Sequence, residues 1–93
     1  MKYEWDEEKA ASNLKKHGVS FDEATTVFDD LFNVDFYDPK HSIQEHRFLM
    51  IGESNLQKVL IISYIERGDK IRIISARELT PKERRNYEHG KFE

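Results

Sequence analysis

The spacing of apolar residues changes once along this chain, near Asn33, and that change limits the possible folds more than any other feature. Before it, Phe21, Ala24, Val27, Phe28 and Leu31 recur every three or four residues, the stripe of an amphipathic helix. After it the period is two. The stretch "NVDFYD" places Val34 and Phe36 on one side and ends at the turn signal Asp38-Pro39. Three further strands follow, "HRFLMIG", "KVLIISYIE" and "KIRIISARE", the last two joined by a tight hairpin at Gly68-Asp69. Both alternating sets are apolar at the strand centres. A sheet of this kind needs helices on one face and partial cover on the other.

The helix signals bracket the strands. "KYEW" predicts a short first strand, after which Asp6 is an N-cap followed by Glu7 and Glu8, acids favoured by the helix dipole. The helix "EEKAASNLKKH" has a thin apolar stripe of Ala10, Ala11 and Leu14 and stops at Gly18, a left-handed C-cap. Ser20 to Glu23 predicts a capping box for the second helix. Near the C-terminus Thr80, Pro81 and Glu83 form another start, and Gly90 a stop. The expected architecture is therefore α+β: one domain over residues 1–93 with an N-terminal strand, two helices, a mainly antiparallel sheet and a C-terminal helix.

Composition narrows the chemistry. With 38% hydrophobic residues and a length of 93, the chain can bury one modest core. It has no cysteine, which removes thiolate chemistry and fits a reducing compartment. No apolar run approaches the roughly 20 residues that span a bilayer. The start, "MKYEWDEEK", lacks the apolar core of a signal peptide, so no membrane association and a cytoplasmic location are expected. The four histidines, His17, His41, His46 and His89, fall in four different elements without metal-ligand spacing, and the four glycines make no phosphate loop. No metal and no organic cofactor are expected.

The net charge of −3 hides an asymmetry. Residues 1–45 hold 5 Lys/Arg against 11 Asp/Glu, while residues 46–93 hold 10 against 7. A polyanion site would thus be local and built from the second half, with the acidic half repelling nucleic acid or facing a basic partner. The candidates are Tyr64, Glu66, Arg67, Arg72, Arg77, Arg84 and Tyr87. Arg77 stands out at a strand end, after small Ser75 and Ala76 and just before a helix N-terminus. Its planar fork matches two phosphate oxygens. Arg84 and Tyr87 share a helix face, and tyrosine adds a ring on which a base can stack. Each has a plainer reading: a solvated strand rim for Arg77, an i,i+4 pair with Glu88 for Arg84, half-buried packing for Tyr87. On residues alone the plainer reading of Arg77 weighs more. Lys16 and His17 complement a helix C-terminus, or else they turn toward the sheet and join an anion site.

Together the blocks "WDEEKAASNLKKHGVSFDEATTVFDD", "HRFLMIGES" and "SYIERGDKIRIISARELTPKERRNYE" resemble the BrnT family of bacterial type II toxins, across nearly the whole chain and in order. One departure is Ile65, where a threonine is expected before "ERGD". The resemblance implies a RelE-like ribonuclease fold without cofactors. RNA would be cleaved by 2′-hydroxyl attack on the adjacent phosphate. It also implies a BrnA-like ribbon-helix-helix antitoxin, contact with operator DNA only through that antitoxin, and a toxin–antitoxin hetero-tetramer. On this basis Arg77, Glu66, Arg67, Tyr87 and His17 are the expected catalytic residues, and Lys16, Arg72, Arg84 and Tyr64 the expected RNA contacts. The other class of function open to such a chain is a non-catalytic module that binds its antitoxin in a repressor complex. Convergence of Arg77, Glu66 and Tyr87 in one cleft would favour the enzyme.

Overall fold

In a computed structural model, residues 1–90 are described, and the last three residues of the domain expected over 1–93 lie outside the described residues. Five strands form one sheet: β1 (Lys2–Glu4), β2 (Val34–Tyr37), β3 (Arg47–Glu53), β4 (Val59–Arg67) and β5 (Lys70–Glu78). Their spatial order is β1-β5-β4-β3-β2. β2 to β5 pair antiparallel with their neighbours, and β1 lies parallel to β5 with Tyr3 opposite Ile71. The architecture is α+β, as the change of period predicts.

Two helices, α1 (Glu7–His17) and α2 (Phe21–Thr26), cover one face of the sheet. Phe21, Ala24 and Val27 pack there against Leu60, Ile62, Tyr64, Ile71 and Ile73. Full burial of side chains such as Phe21 or Ile62 stabilises the fold by about 2 kcal/mol each. The opposite face carries a smaller cluster of Ile51, Val59 and Ile61, which α3 (Pro81–Glu88) covers with Tyr87 while the preceding loop adds Leu79. The caps form where the residues place them. Asp6 accepts from the backbone N–H of Glu8 at 2.8 Å, and Gly18 closes α1 at φ 70°. Thr80 and Glu83 complete a reciprocal capping box for α3.

Three local expectations are corrected. On α1 the buried residue is Asn13, while Leu14 is half exposed. The Asn13 amide donates to the carbonyls of Val19 at 2.9 Å and Ala76 at 2.8 Å and accepts from the Ala76 N–H at 3.1 Å, fastening α1 to β5. Second, α2 ends at Thr26 and tightens into a 3₁₀ turn over Val27–Asp29, so the expected stripe stops short and Leu31 is 94% exposed. Third, the box at Ser20 is half made. The Ser20 hydroxyl accepts from the Glu23 N–H, but the Glu23 carboxylate turns inward and accepts from the Ser54 hydroxyl at 2.6 Å. A buried carboxylate needs that donor more than a cap does.

Candidate functional site

The register between β4 and β5 decides where Arg77 points. Ile71 and Ile73 face the helices, and strict alternation would send Arg77, which has the same parity, into that core. A bulge intervenes: Ser63 pairs with Ser75 but Tyr64 pairs with Ile73, which leaves Ile74 as an extra residue. Beyond it the parity inverts. Ala76 turns to the helices, and Ser75 and Arg77 turn to the other face.

That face holds a cleft of about 490 Å³, not covered by α3. Arg47 of β3 and Arg77 of β5 line it, with Ser63 and Ser75 between them. Lys16 and His17 reach it from the C-terminal turn of α1, and His41 from the loop after β2. Its carboxylate is Asp38, whose Oδ2 lies 2.7 Å from His41 Nδ1. When Nδ1 carries the proton of that bond, Nε2 is left as an acceptor. The Arg77 guanidinium makes an end-on bidentate pair with Glu83, at 2.7 and 3.0 Å, and its Nη1 also donates to the Glu78 carbonyl at 3.1 Å. Three of its five N–H donors are thereby used. Its Nε–H and second Nη2–H have no hydrogen-bond partner among the described residues. The Arg77 guanidinium and the Thr80 N–H hold the Glu83 carboxyl down at about 2. Among the described residues neither Lys16 nor Arg47 has an ion-pair partner. With Lys16, Arg47 and Arg77 against Asp38, the lining of the cleft is net positive within a chain of net charge −3.

Of the expected site residues, the fold brings Arg77, His17 and Lys16 together and separates the rest from them. Glu66 alternates onto the helix side of β4 beside Tyr64, away from the cleft. Tyr64, expected to touch RNA, is 2% exposed and sits in an aromatic row with Phe28 and Phe48 at centroid distances of 5.0 and 5.7 Å. Tyr87 packs on the smaller core cluster and its hydroxyl donates to the Phe32 carbonyl at 3.4 Å. Arg84 pairs with Glu88 on exposed helix surface. Arg67 is bound side-on by Glu45 at 2.8 and 2.7 Å, which fastens the loop before β3 to the end of β4, and Arg72 donates to Glu4 at 3.2 Å, which ties β5 to β1. Arg77, Glu66 and Tyr87 do not share one cleft. The site also draws on the acidic half, through Lys16, His17 and His41, contrary to the expectation from charge. His41, Arg47 and Asp38 were missed because the turn after β2 and the pairing of β2 with β3 together make them neighbours. The Asp38-Pro39 turn was the available signal for the first and last of these.

The sequence model that describes the "ribonuclease toxin, BrnT, of type II toxin-antitoxin system" matches residues 5–83. The chain belongs to the BrnT family. The fold is that of a BrnT toxin as well. The 1.1 Å crystal structure of the Brucella abortus ribonuclease toxin BrnT superposes with a TM-score of 0.64 at 25% identity. The match covers 86% of this chain and 97% of that one. No curated protein matches the chain at a significant level. The BrnT match spans α1, the bulged hairpin and the start of α3, hence every segment that lines the cleft.

Proposed function

We propose that the chain is an endoribonuclease toxin that cleaves RNA without a metal ion, in the cleft between Arg47 and Arg77. The observation that carries this reading is the gathering of Lys16, His17, His41, Arg47 and Arg77 around one cavity in an otherwise acidic molecule. A phosphodiester entering there meets charge that is already in place and needs no reorganisation, the largest usual contribution to catalysis. The donor set also argues against a divalent cation. The carboxylate lining the cleft, Asp38, is bonded to His41, and the cations around it repel another. Among the described residues there is no group of three or more His, Cys, Asp or Glu that could hold a metal.

In the proposed reaction His41 Nε2 takes the proton of the ribose 2′-hydroxyl, with Asp38 fixing the ring. The 2′-oxygen bonds to phosphorus, and the extra negative charge of the phosphorane is spread onto Arg77, Arg47 and Lys16. The bond from phosphorus to the 5′-oxygen breaks, and His17 supplies the proton that this oxygen needs. The products are a 2′,3′-cyclic phosphate and a 5′-hydroxyl. This assigns the acid–base work to His41 and His17 in place of Glu66 and Tyr87, which lie elsewhere. The antitoxin expected of a type II system is taken to be a BrnA-like DNA binder, with kinship to RelE-like ribonucleases and action in the cytoplasm as parts of the same proposal. Among the described residues, no helix is long and apolar enough to cross a membrane.

The test is cleavage of single-stranded RNA by the purified chain in excess EDTA. Cyclic-phosphate ends at an undiminished rate are expected. Activity abolished by the chelator and restored by magnesium would refute it. One observation favours the non-catalytic alternative: Arg77 already has a carboxylate partner. A folded chain that cuts no RNA in any buffer would decide for that alternative.

A further inference from the structure

Beside the cleft lies a second cavity of about 350 Å³, and His41 and Arg47 belong to the walls of both. The remaining wall is a different kind of surface. Ile65, buried and directly opposite Arg47 across the β3–β4 pair, gives it an apolar floor. Gln44 and Ile43 stand over that floor from the loop after β2. The volume falls at the lower end of the roughly 300–1,000 Å³ range of small-molecule sites, and the mixture of apolar area with one amide suits a flat heterocycle.

The loop that forms this wall is held at both ends. At one end Ser42 Oγ donates to the Asp38 carbonyl at 2.6 Å and accepts from the Arg47 N–H at 2.8 Å, while Asp38 also holds His41. At the other end Glu45 is clamped by the side-on fork of Arg67. That pair neutralises the carboxylate at the rim, which would otherwise repel a polyanion. The Arg67 guanidinium accordingly keeps the Glu45 carboxyl below its usual range.

We propose that this second cavity is a nucleobase subsite. It would take the base next to the scissile phosphate and give the cleavage a sequence preference. The proposal rests on the ribonuclease reading of the neighbouring cleft and adds which part of the RNA is read. His41 and Arg47 present flat faces on which a base stacks. Ile65 contacts the ring edge, and the Gln44 amide, one acceptor and two donors, pairs with the edge groups that distinguish one base from another.

The experiment uses short RNAs that differ only in the two bases flanking the cut, with kcat/KM measured for the wild-type chain and for Gln44→Ala. Gln44 is exposed, so the variant keeps the fold. Wild type should prefer one base at one flanking position by roughly tenfold or more, the scale of a bidentate amide–base contact. Gln44→Ala should cut the disfavoured RNAs at the wild-type rate and lose the preference. Indifference of the wild type to both bases, or a preference that survives in Gln44→Ala, would overturn the subsite. A second arm uses the same RNA with a 2′-deoxyribose at the cut, which binds but cannot react. Perturbation of the Gln44 side-chain amide resonance by this RNA supports the subsite even where no cleavage occurs, and a silent amide overturns it. Failure of the chemistry and failure of the subsite are thus read separately.

Discussion

Arg77 shows how much one residue's role depends on what surrounds it. Its end-on pair with Glu83 holds the guanidinium still and leaves a second bidentate edge for phosphate oxygens. Arg77→Ala should lower kcat/KM for RNA by roughly a hundredfold or more, the cost of about 3 kcal/mol for one preorganised donor. Arg77→Lys keeps the charge but not the fork, and should melt like wild type while remaining strongly impaired. Full activity in a folded Arg77→Ala would end the catalytic assignment. Glu83 gives up its proton at lower pH than an ordinary surface acid. Its carboxyl is held at about 2, against 4.5 without its partners. The pair therefore contributes stability above pH 4.5, and that contribution is lost as the pH falls toward 2. Because both side chains are partly solvated, its worth is about 1 kcal/mol. Acid unfolding of Glu83→Gln followed by circular dichroism should be less steep across that interval than for wild type. The arginine itself stood out in the sequence as a candidate phosphate ligand, although on residues alone a solvated strand rim weighed more. Its carboxylate partner was not, since Glu83 read as a complete capping residue and nothing in the residue order shows that one side chain serves two purposes.

Among the elements, the order and type of the helices and strands followed from spacing and caps, because those signals are local, while α2 ended a turn before its stripe did. What escaped was the bulge at Ile74. An extra residue leaves the alternation of "KIRIISAR" intact on paper, yet it rotates everything after it by half a turn, and only the pairing with β4 reveals it. The candidate cleft depends on that displacement, so sequence reasoning could name Arg77 without knowing which face it served. Asn13 was passed over for a similar reason: a polar residue in a thin stripe gives no sign that it is the buried one. Gly52 is a third case. Any Cβ there would lie 2.9 Å from Asp30 Oδ2 and 3.0 Å from both Asn33 Cβ and Val27 Cγ1. β3 passes tightly beneath the turn that ends α2, and Asp30 also accepts the Glu53 N–H at 2.8 Å. Gly52→Ala should accordingly cost about 1–3 kcal/mol in chemical denaturation, with an unchanged m-value. An unaffected midpoint would mean that the turn yields freely.

The whole molecule divides its charge between a cationic cleft and an acidic remainder. Duplex DNA is too wide to present its phosphates to the cleft alone, and elsewhere it meets carboxylates. The isolated chain should therefore bind duplex DNA weakly, and a gel shift that is strong and salt-sensitive would contradict this division. The same geometry bears on how the molecule stays apart from its own copies. β1 is only three residues long, so it shields β5 no further than Arg72. Past that point no strand pairs with the outer rim of β5 among the described residues, and α1 lies along it with Ser12, Asn13 and Lys16 beside Ile74 and Ser75. Asn13 takes up both backbone groups of Ala76, as a neighbouring strand would, and so stands in for a missing sixth strand. Without it, that stretch becomes a template onto which another chain can zip. Asn13→Ala should then sediment as larger species with rising concentration while wild type does not. The helix that guards this rim is also the one that furnishes the cleft, because Lys16 and His17 follow Asn13 toward the C-terminus of α1.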